Sequence, residues 1–221
     1  MNRKITRLSA SLLLVLLTTS LLFVDEGFNS KTETTSEIKI GNQIWMTQNL
    51  NVDKFRNGDP IPHARTKRQW RKAAKAGEPA WCYYGSDSYL GGKNGRLYNW
   101  HAVNDPRGLA PDGWRIPNLE EWEQLVTELG GKSSAGLAMK SSEDWRPNGN
   151  GTNSSGFNGR PAGFRNADGI YYFLGEYAKW WTATEGDTKN AWSHFLCHGS
   201  KLAVKYYMHK GYGLSVRCVK E

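Results

Sequence analysis

The first candidates for chemistry are histidine and cysteine side chains in the C-terminal third of the chain. His194 and His198 lie four positions apart, with Cys197 between them. On a helix this spacing would place both imidazoles on one face, but residues 191–197 alternate like a strand, where i and i+4 side chains are too far apart for easy chelation. Two histidines also fall short of a usual zinc ligand set. The sequence therefore predicts no metal site and no cofactor.

The acidic residues give no stronger case for catalysis. Asp112, Glu120, Glu121 and Glu123 could supply the paired carboxylates of glycoside hydrolysis. The three glutamates fit better as the acidic first turn of a helix, where they face the positive end of the helix dipole. The chain also has no Gly-x-Ser-x-Gly, His-Glu-x-x-His or phosphate-loop pattern. We therefore expect that the protein is not an enzyme.

Aromatic residues offer a different chemistry, since the chain has ten Trp and ten Tyr. Exposed rings of these types are frequent binding hot spots. We predict a binding surface in residues 186–213, assisted by the 141–169 loop, with Trp192, His194, Tyr207 and His209 as ligand-binding residues. Ordinary strand packing is the alternative for each ring, and strand alternation would point only one of two adjacent tyrosines outward.

The elements that must position these residues read as an α+β fold. Its best helix spans 118–130: Asn118 caps it, and an i, i+3, i+4 pattern of apolar residues makes Trp122 a core anchor. Residues 38–46 form a hairpin, 66–76 a short basic helix and 141–169 a long structured loop. Five further segments are strand candidates: 170–174, 180–184, 191–197, 201–207 and 214–219. The pattern predicts one or two helices and short, mostly antiparallel strands.

The N-terminus has the pattern of an export signal. Three cations precede an apolar run that extends to Val24, and residues 1–24 contain no acid. We predict a signal peptide or N-terminal anchor at 1–24, a polar tether at 25–37 and one domain at 38–221. The protein would then be periplasmic, surface-exposed or secreted, and would touch a membrane only through that anchor.

Charge gives a weaker indication of partners. The formal net charge is +8, and without the three N-terminal cations 26 basic residues face 21 acidic ones. Between Lys54 and Lys75, Asp59 is the only acid among eight Lys and Arg. We interpret this stretch as a solvated surface segment and predict no nucleic-acid partner.

Three cysteines, Cys82, Cys197 and Cys218, allow one internal disulfide and leave one thiol free. Cys197 and Cys218 lie in consecutive or near-consecutive C-terminal strand candidates, so we predict that they pair. A bond between Cys82 and Cys218 is the rival.

Seven motifs in the order of one family complete the picture. They resemble the Fibrobacter succinogenes major paralogous domain over about residues 38–221, and they comprise Ile40–Leu50, Trp81–Tyr84, Gly95–Trp100, Gly113–Pro117 with Glu121 and Trp122, Thr152–Phe157, Trp180–Glu185 and Gly213–Val219. The resemblance implies an exported or surface protein. Many members are lipid-anchored, but no cysteine follows the apolar run here, so that property is not carried over.

Three of these motifs are also distantly similar to the formylglycine-generating-enzyme branch of C-type-lectin-like folds. That similarity implies paired N- and C-terminal strands and a long loop region that presents a ligand surface. It does not imply the oxidase activity, because the closely spaced cysteines which that chemistry uses are missing. We expect a noncatalytic extracellular binding or display domain for an unknown glycan or surface protein. The alternatives are a structural subunit of a surface assembly, such as an adhesin or fimbria-like subunit, and an enzyme of unknown activity.

Overall fold

The structure is a computed structural model that describes residues 36–221. The predicted signal peptide at 1–24 and all but the end of the predicted tether at 25–37 lie outside the described residues. The first strand begins at Glu37, so the last residue of that tether already belongs to the folded domain.

The described part of the chain alternates short helices and short strands. Its strands are β1 (Glu37–Ile40), β2 (Gln43–Met46), β3 (Trp81–Cys82), β4 (Leu97–Tyr98), β5 (Trp114–Arg115), β6 (Phe164–Arg165), β7 (Tyr171–Tyr172), β8 (Tyr177–Glu185), β9 (Asn190–Cys197), β10 (Ala203–His209) and β11 (Val219–Lys220). Its helices are α1 (Lys67–Ala76), α2 (Ser88–Asn94), α3 (Trp100–Val103), α4 (Leu119–Glu128) and α5 (Ala135–Met139). No helix within residues 36–221 is both long and apolar enough to cross a membrane.

Two sheets organise the domain. One has the order β1-β2-β11-β5, and its β2–β11 pair sets Val219 opposite Trp45. The strands at the two ends of the domain therefore pair, as expected. A second sheet is the antiparallel meander β10-β9-β8, and β3–β4 and β6–β7 form two further two-stranded pairs. The mixed α+β class with mostly antiparallel strands is confirmed.

The two longest helices form where local signals are strongest. In α4, the Asn118 side chain accepts from the Glu121 backbone N–H and the Glu121 carboxylate accepts from the Asn118 N–H, which is a complete capping box. Thr66 and Gln69 form the same box for α1, which ends at Gly77 in the left-handed conformation. Both helices were predicted, but the expectation of only one or two was too low, because α2, α3 and α5 have seven, four and five residues.

The meander separates two apolar clusters. On one face, Ala178, Trp180 and Leu196 pack with Trp122 and Leu125 of α4. On the other face, Trp181, Ala191 and Met208 join a cluster that extends to Trp100 and Trp114. The sheet is thus covered on both faces in its centre, which explains why adjacent residues of β8 are both fully buried.

Between α5 and β6 the chain forms the predicted structured loop. The indole N–H of Trp145 donates to Ser141 Oγ and to the Gly159 carbonyl, which ties the loop to itself. The strand predicted at 214–219 is shorter than expected: β11 keeps only its end, and residues 214 and 215 form isolated bridges to Tyr98 and Trp180. The strand at 170–174 also shortens, since Phe173 has a φ of 61°, which ends strand geometry.

Candidate functional site

Residues of the family-like motifs meet in one hydrogen-bond network between the two ends of the domain. Asn49 Oδ1 accepts from Trp180 Nε1 at 2.8 Å and from Arg217 Nη2 at 2.8 Å. Asn49 Nδ2 donates to the Asn94 carbonyl at 2.8 Å and to Ser215 Oγ at 3.3 Å. We call these contacts the Asn49–Arg217 network. It joins the segment after β2 to β8 and to the approach of β11.

Arg217 is the centre of this network. Its guanidinium donates to the backbone carbonyls of Met46, Phe157 and Asn158 as well as to Asn49 Oδ1. No carboxylate pairs with it among the described residues. Burial lowers the pKa of Arg217 to about 9, so the side chain stays charged at neutral pH. A buried charge held by this many acceptors stabilises the fold. A structural role therefore accounts for the motifs to which Arg217 and Asn49 belong.

A polar cleft of about 230 Å³ borders the network. Its other cations are already neutralised, since Lys93 lies 2.5 Å from Asp144 and Arg160 lies 2.7 Å from Glu143. Apart from Arg217, whose donors are already bonded within the domain, the cleft therefore presents little free charge to a ligand.

Three of the four carboxylates considered for catalysis have partners. Glu121 caps α4 and pairs with Arg115, Glu123 lies 3.2 Å from Lys205 Nζ, and Asp112 lies 3.5 Å from Arg56. Within residues 36–221, no group of three or more histidine, cysteine or carboxylate side chains could hold a metal ion.

The three cysteines are free, which corrects the predicted Cys197–Cys218 disulfide. Cys218 is buried in the cluster around Trp114, whereas Cys197 ends β9 opposite Tyr177. The rival Cys82–Cys218 bond is not present either. Burial raises the pKa of the Cys82 thiol to about 11 and that of Cys218 to about 12, so both stay protonated and weakly nucleophilic at neutral pH.

Three of the four predicted ligand-binding residues reach the surface, and His194 does not. Trp192 and Tyr207 are cross-strand partners whose ring centroids lie 3.8 Å apart, on the α4 side of the meander. His209 ends β10, and its Nδ1 accepts from the Gly211 N–H. His194 is a core residue with only 2% of its surface exposed, and its ring stacks on Trp122 at 5.2 Å. Strand alternation predicts on which face of the sheet a residue lies, but not which element covers that face. The assignment of His194 to the binding site was therefore wrong.

The buried imidazole of His194 should make stability depend on pH. Burial, and then the nearby Lys205 ammonium, lower its pKa to about 3. The other charged group facing it is Glu123, 3.6 Å from Nε2. The unfolded chain takes up this proton near pH 6.5 and the folded chain only near pH 3. The contribution is therefore complete above the unfolded pKa and is lost as pH falls below it, by about 2 kcal/mol at pH 5.

The measurement is urea unfolding at pH 8 and pH 5 for the native chain and for His194→Phe. Phenylalanine keeps a ring against Trp122 but cannot titrate, so the variant should lose about 2 kcal/mol of the pH dependence. His63 and His101 also have a lowered pKa and remain in both proteins, so a smaller dependence persists. The exposed His209→Gln variant is the control for replacing a histidine elsewhere on the meander.

The other face of the meander carries a row of rings that we call the aromatic face: Tyr172, Phe173, Tyr177, Phe195 and Tyr206. Each ring contacts the next, with centroid separations of 5.8, 5.0, 5.9 and 6.3 Å along the row. Tyr206 is 57% exposed and Phe173 is 44% exposed. The row is a continuous, partly exposed apolar surface with phenol hydroxyls along it.

Lys179 lies at the base of this face. Its Nζ is 4.6 Å from the Phe164 ring centroid, 5.1 Å from that of Phe195 and 5.3 Å from that of Tyr177. No carboxylate pairs with it in the described part of the chain, and burial lowers its pKa to about 8. The ring faces therefore provide the electrostatic partner of the ammonium and are held in place by it.

Phe173 is the most informative member of the face. A φ of 61° suits glycine or asparagine, and a bulky side chain there costs about 1–2 kcal/mol. Its ring is nevertheless half exposed rather than buried in the core. Folding alone does not account for a phenylalanine at this position, and strained residues of this kind cluster at functional sites.

Sequence reasoning found only part of this surface. Tyr206 was considered with its neighbour, and the two do point to opposite faces, yet both are exposed because β10 is an edge strand. Nothing in the sequence indicated that Tyr172 and Phe173 belong to this surface, because their approach to β9 depends on the fold.

The comparison with protein families gives one match. The Fibrobacter succinogenes major domain matches residues 38–220. No curated protein and no solved structure matches the chain. The match includes every motif of the Asn49–Arg217 network and nearly all of the described residues. The chain belongs to the Fibrobacter succinogenes major domain family.

Proposed function

We propose that this chain is a noncatalytic extracellular binding domain and that its aromatic face binds a neutral glycan. The observation that carries the proposal is Phe173, a half-exposed ring held at a backbone conformation that disfavours it. Aromatic ring faces are electron-rich and attract the weakly positive C–H edges of a sugar, while tyrosine hydroxyls can hydrogen-bond its oxygens. A surface protein is the alternative ligand.

Export and a C-type-lectin-like fold belong to the same proposal. The N-terminal cations followed by an apolar run support export. The pairing of the terminal strands and the long loop between α5 and β6 support the lectin-like arrangement. Both fit a domain that displays a binding surface outside the cytoplasm.

The test is a screen of the full chain on an array of neutral oligosaccharides, followed by titration of the strongest one. Phe173→Asn and Tyr206→Ser should each weaken binding at least about fivefold, as expected for exposed hot-spot rings. Asparagine tolerates the left-handed backbone, so the thermal midpoint of Phe173→Asn should be unchanged or higher.

Tyr89→Ser is the matched control, because this ring is 77% exposed and lies on α2, outside the aromatic face. A second comparison replaces Tyr207 and His209 together by Ala. Weaker binding of that variant, with native affinity in Phe173→Asn, would place the ligand on the surface first predicted from sequence. Turnover of the bound sugar would contradict the noncatalytic assignment.

A structural subunit of a surface assembly is the second candidate, and the open edge of β10 favours it. Among the described residues, β10 pairs with β9 alone. Antiparallel pairing of two copies about Tyr206 would set Lys205 opposite Tyr207 and Val204 opposite Met208, which avoids contact between like charges. Concentration-dependent assembly in light scattering, without glycan binding, would favour this role.

A further inference from the structure

Helix α1 presents a compact array of positive charge. Five of its ten residues are Lys or Arg: Lys67, Arg68, Arg71, Lys72 and Lys75. At 100° per residue they occupy an arc of about 140° on one side of the helix. Trp70, Ala73 and Ala74 are buried on the opposite side, so the whole charged arc faces outward.

Almost none of this charge is neutralised within the domain. Only Arg71 has an acidic neighbour, Asp168 at 3.5 Å, and the first turn of α1 contains no acid. In residues 36–221, Lys67, Lys72 and Lys75 make no ion pair. Helices normally favour acids in the first turn and cations in the last, so Lys75 suits α1 but Lys67 and Arg68 in its first turn do not serve its stability.

The array is held rigidly. Trp70 is fully buried and donates its indole N–H to the Gly211 carbonyl at 3.1 Å, and capping residues fix both ends of the helix. The backbone beneath the cations is therefore preorganised, which reduces the entropy that binding would cost.

A groove of about 290 Å³ follows the same helix. It is lined by Arg71, Ala74 and Lys75 on one side and by Ala167, Asp168 and His209 on the other. The groove gives the charged side a concave edge with hydrogen-bonding groups, on a scale that suits a sugar ring.

We infer that α1 and this groove bind an acidic polysaccharide, at a site separate from the aromatic face. Charge complementarity identifies a polyanion as the partner. A membrane surface fits less well, because the charged arc carries no large apolar side chain to insert between lipids. A single-stranded nucleic acid fits less well, because the groove offers no tyrosine, tryptophan or phenylalanine on which bases could stack.

The experiment measures binding of the full chain to heparin and to polygalacturonate at rising salt. Binding should fall steeply with ionic strength, since bound cations displace counterions of the polymer. A variant with Lys67, Lys72 and Lys75 all replaced by Gln should bind at least about tenfold more weakly at low salt. It should melt at the native temperature, because these side chains make no ion pair in the described domain.

The matched control replaces Lys132, Lys189 and Lys201 by Gln, which removes the same charge from exposed positions outside α1. The control variant should bind the polysaccharides with near-native affinity. An equal loss of binding in both variants would mean that net charge alone causes the loss, which would overturn the inference. Two parallel arms use vesicles of phosphatidylglycerol with phosphatidylcholine and a single-stranded DNA. Substitution in α1 that weakens only vesicle or DNA binding would also overturn it. Because the aromatic face is tested with neutral sugars, failure of one site leaves the other result intact.

Discussion

The Trp122→Ala variant should lose about 3–5 kcal/mol of unfolding free energy, the range for a large aromatic side chain removed from a core. Trp122 is fully buried. Its ring lies 5.0 Å from Trp45, 5.6 Å from Trp180 and 5.7 Å from Phe157, and it stacks on His194. Such a dense cluster cannot collapse around the cavity, because each neighbour is fixed by its own strand or loop. Urea unfolding monitored by circular dichroism measures the loss.

Trp122→Phe is the informative companion. The indole nitrogen of Trp122 is buried and has no hydrogen-bond partner among the described residues. The substitution therefore removes volume without breaking a hydrogen bond and should cost clearly less than Trp122→Ala. Equal losses would show that the cost does not follow the volume removed, and an unchanged midpoint for Trp122→Ala would contradict the assignment of the buried face of α4.

Local signals explain which parts of the fold could be predicted. The capping residues of α1 and α4 and the apolar period of α4 lie within a few positions of each other, so the sequence specifies them directly. The hairpin β1–β2 is equally local and formed as expected. The short helices α2, α3 and α5 have no such period, because four to seven residues are too few to show one.

Functional surfaces depend on contacts that the sequence does not display. Strand alternation correctly separates Tyr206 from Tyr207, but which face is covered depends on α4, whose partner strand β8 begins 49 positions after the helix ends (128 to 177). His194 was misplaced for this reason. The predicted binding surface lacked Tyr172 and Phe173 for the same reason. These residues reach the aromatic face through a turn in which Phe173 adopts a left-handed backbone conformation that phenylalanine disfavours.

The structure explains the family motifs more fully than the sequence does. Motifs at 40–50, 180–185 and 213–219 looked like separate strand signatures, yet Asn49, Trp180 and Arg217 bond to one another. Their side chains close the domain by joining its two ends. A residue can thus belong to a family motif because it stabilises the fold, and a binding site can lie outside the motifs.

Arg217→Lys should be nearly as destabilising as Arg217→Met, with a loss of about 3–5 kcal/mol for each. The guanidinium reaches four acceptors on two chain segments, 46–49 and 157–158, through a planar fork. A lysine ammonium is a single point with three donors and cannot span them, so conserving the charge does not conserve the network. Methionine fills similar volume but leaves the carbonyls of Met46 and Phe157 buried without donors.

Urea unfolding of both variants measures these losses, and Arg160→Lys is the control. Arg160 is another motif-adjacent arginine, but it pairs with Glu143 and Asp144 at the surface, so its replacement should cost less than about 1 kcal/mol. A native midpoint for Arg217→Lys would mean that charge alone, rather than the fork of donors, holds the two ends of the domain together. A large loss of unfolding free energy for Arg217→Lys, with native stability of Arg160→Lys, would establish that the Asn49–Arg217 network holds the two ends of the domain together.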